Sequence, residues 1–152
     1  MRTTLKASIV VLTLSLVTSP IVLADGDAEF KYRQGVMRTV GGQMSSMAAV
    51  LRGQVHFDNL AFHARGMAEL AEIVPHVFPE GSGVSKSEAL PAIWEKPDEF
   101  KEAITKFVDA ANGMAKAAES GSGDMGSIGP AMKALGQSCK GCHDNFREEH
   151  DD

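Results

Sequence analysis

Both cysteines of this chain stand in one short stretch, Cys139-Lys140-Gly141-Cys142-His143, close to its C-terminus. Cysteines at i and i+3 share one face of a helix, so both thiols can form thioethers to the two vinyl groups of a single porphyrin. His143, the residue that follows, then lies where its imidazole can reach the iron from below the ring. C-x-x-C-H is the attachment pattern of a c-type haem, held covalently even when its pocket loosens. Other chemistries fit less well. A dithiol redox pair belongs near a βαβ pattern, and the sequence shows none. Tetrahedral zinc needs four ligands, and His56, His63, His76 and His150 have no paired spacing that would complete the set. A disulfide between residues three apart closes a trivial loop and stabilises little. A dithiol redox or metal-binding module therefore stands as the alternative outside haem.

The residues at the other end say where such chemistry would take place. The opening, MRTTLKASIVVLTLSLVTSPIVLADGD, carries Arg2 and Lys6, an apolar run from Ile9 to Val17, and Val22-Leu23-Ala24 where a signal peptidase would cut. Ser15, Thr18, Ser19 and Pro20 leave the run short of the ~20 apolar residues of a spanning helix. Residues 1–24 are expected to be a cleaved signal peptide, and residues 25–152 one periplasmic domain beginning at Asp25. Without Arg2 and Lys6, 13 basic residues face 20 acidic ones, a formal charge of −7. That balance argues against nucleic acid or an anionic membrane as partner, since both select basic faces.

Four stretches must position the motif, and each reads as an amphipathic helix. Apolar residues recur at steps of three and four: Met37, Val40, Met44, Met47 and Leu51, then Phe57, Leu60, Ala64, Met67, Ala71 and Val74. Phe100, Ile104, Phe107, Ala111, Met114 and Ala118 form the third stripe. Ile128, Met132, Leu135, Cys139, Cys142 and Phe146 form the fourth. No stretch sustains a period of two, so the chain is all-α. Gly53 closes the first helix and Asp58 sits near the start of the second, while Pro75, Pro79 and PEGSG stop the second. Pro97 opens the third, and after ESGSGDMGS the fourth starts with Asp124 or Ser127 as N-cap. Two short links and one long one, about residues 76–96, predict an antiparallel up-down-up-down four-helix bundle. The start of helix one, the long loop and the end of helix four then meet at one end. The Gly41-Gly42 pair, costing roughly 1 kcal/mol per residue inside a helix, reads either as close approach of a neighbouring backbone or as room for a large flat ligand.

This arrangement resembles the class II c-type cytochromes, the cytochrome c′ and c-556 group. KYRQGVM resembles the opening of that family's first helix, FPEGSG and EALPAIW its long loop, and CKGCHDNFR its haem helix. The resemblance implies one covalent haem c on Cys139 and Cys142, with His143 as axial ligand. It implies that Arg33 and Gln34 contact the haem edge, Arg33 offering its fork of donors to a propionate. Ser87 and Glu88 would pack along the haem, and Arg147 would lie near the proximal imidazole. Met37 matches the position facing the distal side of the iron. Met-ligated members are low-spin electron carriers, but some five-coordinate members also carry Met there. The residues leave the choice open, because Met37 shares a stripe with Val40, Met44 and Met47, where methionines are ordinarily core filler. His63, His76 and His56 are lesser candidates for a sixth ligand. One-electron transfer is the leading expectation, with nitric oxide or carbon monoxide binding the alternative. A redox partner protein or a small gas would be the partner, and no catalysed reaction on an organic substrate is expected. The resemblance also implies a homodimer through the first two helices, and GGQMSSM supplies small residues for close packing.

Overall fold

The computed structural model describes residues 25–120 and 124–149. The expected signal peptide, residues 1–24, lies outside the described residues, as do His150 and part of the glycine-serine link. Among the described residues there are five α-helices, α1 (Gly26–Gly53), α2 (Leu60–Ile73), α3 (Ala92–Glu95), α4 (Pro97–Ser120) and α5 (Met125–Phe146), and two short 3-10 turns. The four long ones form the antiparallel bundle, and α3 is a single turn within the long loop. Among the described residues, none of the helices is long and apolar enough to cross a membrane.

Local chemistry sets the helix ends. Asp25 caps α1 by accepting from the Asp27 and Ala28 amides at 3.0 and 3.4 Å, and Asp27 and Glu29 add negative charge to the positive end. Asp124, rather than Ser127, caps α5, accepting from the Gly126 amide at 2.9 Å. Pro97 occupies the first position of α4, where its missing N–H has no partner to lose. Past Gly53, Gln54 and His56 take left-handed backbone conformations that reverse the chain into α2.

Met47, Leu60, Ala64, Met67, Ala71, Met114, Ile128 and Leu135 are buried together between the helices. Ala64 and Ala71 on α2 and Ala111 on α4 leave room for these two helices to approach. The stripes read for the second and third long helices are faces that pack, whereas the fourth packs through Ile128 and Leu135 and turns Cys139 and Cys142 toward a cavity. On α1 the outcome differs: Arg33, Val36, Met47 and Val50 are buried, whereas Met37, Val40, Met44 and Leu51 are half-buried. Met37, Val40 and Met44 line a cavity as well as touching the core.

The start of α1 docks on the long loop so tightly that a Cβ on Gly26 would lie 2.7 Å from the Gly81 carbonyl oxygen. A Cβ on Gly35 would meet nothing within 4 Å. Gly26→Ala is therefore expected to destabilise by about 1–3 kcal/mol. Gly35→Ala should stabilise by ~0.5–1 kcal/mol, raising Tm by roughly 2–5 °C. Thermal denaturation of the two variants checks this pair, and shifts of the same sign would contradict it.

Candidate functional site

Tight packing runs from α1 to α2, from α2 to α4 and from α4 to α5. Between α1 and α5 lies a cavity of about 610 Å³, within the ~300–1,000 Å³ usual for cofactor pockets. Arg33, Gln34, Met37, Val40, Gly41 and Met44 form its α1 wall. Ser138, Cys139, Cys142, His143 and Phe146 form the α5 wall, with Arg147 just beyond, and Lys86 to Ala89 of the loop close the end. All nine site residues expected from the sequence line this one space: Arg33, Gln34, Met37, Ser87, Glu88, Cys139, Cys142, His143 and Arg147. Neither His56, His63 nor His76 is among the lining residues. His63 Nδ1 instead pairs with Gln43 Oε1 at 2.8 Å, at the contact of α1 with α2.

Cys139 and Cys142 are free and half-buried on one face of α5. Burial raises the pKa of both thiols, and Cys142, which also feels Cys139, is pushed up to about 11. Both are therefore thiols, not thiolates, at neutral pH. His143 keeps an exposed surface, yet burial by surrounding atoms, followed by the Arg147 charge, lowers its pKa against opposing pulls from Asp144 and Glu88. The direction favours the neutral imidazole, which carries the lone pair an iron ligand needs.

Arg33 behaves differently from the sequence expectation. Its terminal nitrogens donate four hydrogen bonds to the loop: Nη1 to Val77 O at 3.0 Å and Ser82 Oγ at 2.8 Å, Nη2 to Ser82 O at 2.8 Å and Ser87 Oγ at 3.0 Å. The fork expected to meet a propionate is thus engaged by the protein itself. The residue is 5% exposed, and burial lowers its pKa while Glu29 partly offsets that. All four acceptors are neutral oxygens, so a buried positive charge stands at the cavity edge.

Aromatic rings complete the inner wall. Arg33 lies over Phe78, 5.0 Å from its centroid; Phe78 meets Phe100 edge-on at 5.0 Å, and Phe100 meets Phe146 at 5.1 Å. Each ring pair contributes ~0.5–1.5 kcal/mol beyond burial. The chain joins α1, the loop, α4 and α5. Sequence reasoning missed this set and missed Ser82, because each member comes from a different segment and PEGSG reads as a plain turn. The loop is also stitched to the motif. Leu90 N donates to Phe146 O at 3.0 Å, Glu148 N to Glu88 O at 2.8 Å, and Arg147 Nε to Glu88 Oε2 at 2.8 Å. At Gly41 and Gly42 an added Cβ would meet nothing within 4 Å, so close approach of a neighbouring backbone within the chain does not explain the pair.

Comparison with known proteins agrees with this geometry. The family model described as cytochrome C′ matches residues 28–147. The cytochrome c′ of Pararhodospirillum photometricum is 40% identical over 127 residues, covering 82% of this chain and 100% of the relative. Among solved structures, cytochrome c prime from Shewanella frigidimarina superposes with a TM-score of 0.77 at 30% identity, covering 84% of this chain and 99% of that one. A variant of the Alcaligenes xylosoxidans cytochrome c prime, in complex with nitric oxide, does so with a TM-score of 0.76 at 25% identity, covering 84% and 99%. The chain belongs to the cytochrome c′ family, whose cofactor is one covalent haem c per chain.

The two arginines of the site should differ in energetic weight. Arg33→Lys is expected to cost about 2–3 kcal/mol, because a buried fork loses hydrogen bonds that an ammonium cannot reproduce. Glu88 and Arg147 are each nearly half exposed, so their coupling in a double-mutant cycle should stay below ~1 kcal/mol. Urea unfolding of the single and double variants measures both.

Proposed function

We propose that this member of the cytochrome c′ family is a periplasmic one-electron carrier, with Cys139 and Cys142 bonding the haem, His143 its axial ligand and Met37 its sixth. The observation that carries this reading is that Met37 and His143 stand on the two walls of one cavity, α1 and α5. The residues present fit the group. Two thiols at i and i+3 share the α5 wall with an adjacent neutral imidazole, and the wall between them and α1 is largely aliphatic and aromatic. The bound group supplies a ferric–ferrous couple, or an open coordination site for a gas. The Met37 thioether and the His143 imidazole would hold a bound iron, two ligands that suit a ferric–ferrous couple. Arg33, only partly offset by Glu29, places a cation where carboxylates of a cofactor would be welcome. Gln34 lies at the exposed rim, and Ser87 and Glu88 lie along the loop edge. Arg147 raises the local positive charge beside His143 and favours its neutral form.

A second reading has its own support. Met37 is half-buried among Val40 and Met44, as a space-filling side chain would be, and a solved relative holds nitric oxide. On that reading the distal side binds gas and Met37 guards it. Assembly as a homodimer through α1 and α2 belongs to both readings: Phe62 on α2 is 63% exposed, and Gly42, Ser45 and Ala49 leave the outer face of α1 open.

Attachment is tested by Cys139→Ser with Cys142→Ser. The exported wild type should retain its Soret chromophore through acid-acetone extraction, and the double variant should lose it. Retention in the double variant would remove the thioethers from the reading. For Met37, the wild-type ferrous spectrum should show sharp, split low-spin bands, and the ferric form a weak near-infrared sulfur-to-iron band. Met37→Ala should abolish both and admit carbon monoxide faster. A high-spin wild-type ferrous spectrum at neutral pH would replace the electron carrier with the gas binder.

A further inference from the structure

Among the described residues α1 and α5 pack less closely than the three neighbouring helix pairs, with Met44 of α1 reaching Gly136 of α5. The two walls are joined through the long loop. On the α5 side the loop is held by Leu90 N to Phe146 O, Glu148 N to Glu88 O and the Arg147–Glu88 pair. The loop is folded on itself by Trp94, whose Nε1 donates to Phe78 O at 3.1 Å and Pro79 O at 3.2 Å. Gly83 lies under the same indole, where a Cβ would come within 2.9 Å of the ring. On the α1 side the loop has an exposed ion pair, Lys86 with Asp27 at 2.9 Å, and the Gly26–Gly81 approach at the very start of the helix. Nearer the cavity centre its buried tie is Arg33.

The buried polar side chains among the described residues are Arg33, Ser82 and Ser87, at 5, 0 and 9% exposure, and they form a single cluster. An exposed ion pair is largely screened by water, whereas a buried guanidinium loses water along with every hydrogen bond it gives up. Arg33 also lies one helical turn before Met37, on the same face of α1. A loosening of its fork would therefore release the stretch of helix that carries Met37.

We propose that Arg33, held by Ser82 and Ser87, is a positioning residue that fixes α1 over the cavity and thereby sets how readily an outside ligand enters on the Met37 side. The inference rests on the haem reading above, but holds whether Met37 ligates or merely guards. Ser82 separates this role from direct contact with a cofactor. It is fully buried and does not line the cavity, and the bond its hydroxyl makes in this cluster accepts from Arg33 Nη1.

The test uses the haem-loaded full-length protein. Ser82→Ala should raise the carbon monoxide association rate of the ferrous protein roughly tenfold, an opening eased by ~1.4 kcal/mol. Amide exchange over residues 34–41 should rise by a similar factor, with helix content unchanged. Ile128→Val, a core truncation at the far end of the bundle, should lower Tm while leaving both readouts within twofold of wild type. In an Arg33→Lys background, itself faster than wild type, Ser82→Ala should add less than twofold. A Ser82→Ala protein within twofold of wild type in both readouts, an equal response to Ile128→Val, or independent multiplying effects of Ser82 and Arg33 would overturn the proposal. Should Ser82→Ala not accumulate, Ser82→Gly, which also removes the hydroxyl, against Ile128→Val gives the same comparison. The wild-type spectrum alone reports on haem and Met37, so failure of that reading is seen separately from failure of this one.

Discussion

A buried guanidinium must find acceptors for its N–H groups, because removing it from water without them is prohibitive. That constraint organises the site end of this bundle. Arg33 takes Val77 O, Ser82 Oγ, Ser82 O and Ser87 Oγ, and in doing so draws the stretch from Val77 to Ser87 onto α1. The requirement is directional as well as energetic. A planar fork needs oxygens in its own plane, so the loop has one shape that satisfies it. The ring of Phe78, lying under the guanidinium, carries the arrangement into the aromatic row that ends at Phe146. A single charged side chain thus ties α1 to the loop, and through Phe100 and Phe146 to α4 and α5.

The cavity follows from what the bundle leaves unpacked. Three helix contacts are close, with small residues such as Ala64, Ala71 and Ala111 at the α2–α4 seam. The fourth is opened where the α1 stripe passes Met37, Val40 and Met44. Half-buried apolar side chains on such a wall keep part of their surface toward the cavity, which a large flat group would cover. A haem held there would complete the hydrophobic core along that wall. The raised thiol pKa values belong to the same setting, since the burial that favours an apolar ligand disfavours a thiolate.

Much of this was legible in the residues. Period-3.6 stripes on the second and third long helices, and Ile128 and Leu135 of the fourth, are packed faces, because a stripe needs only a partner to bury it. Asp124 and Pro97 mark helix starts by chemistry local to the helix end. Cys139, Cys142 and His143 could be read as one unit because their spacing alone puts them on one turn. Short links then brought Arg33 and the loop to the same end as the motif. The resemblance to the cytochrome c′ group added Gln34, Ser87, Glu88 and Met37, all of which line the cavity.

What the sequence by itself determined was whatever depends on near neighbours: helices, caps, the C-x-x-C-H face and the order in which the bundle winds. Tertiary structure decided how long-range partners are shared. The resemblance offers the Arg33 fork to a propionate, yet four of its hydrogen bonds go to oxygens 44 to 54 residues away. The α1 stripe reads as core, yet its Met37, Val40 and Met44 line a cavity, because whether an apolar face meets helix or space depends on the width between walls. Ser82 sits in a stretch that reads as a turn, yet its burial and its bond to Arg33 make it part of the site. Neither burial nor the pairing of distant polar groups has a local signature; both come into being when the chain closes on itself.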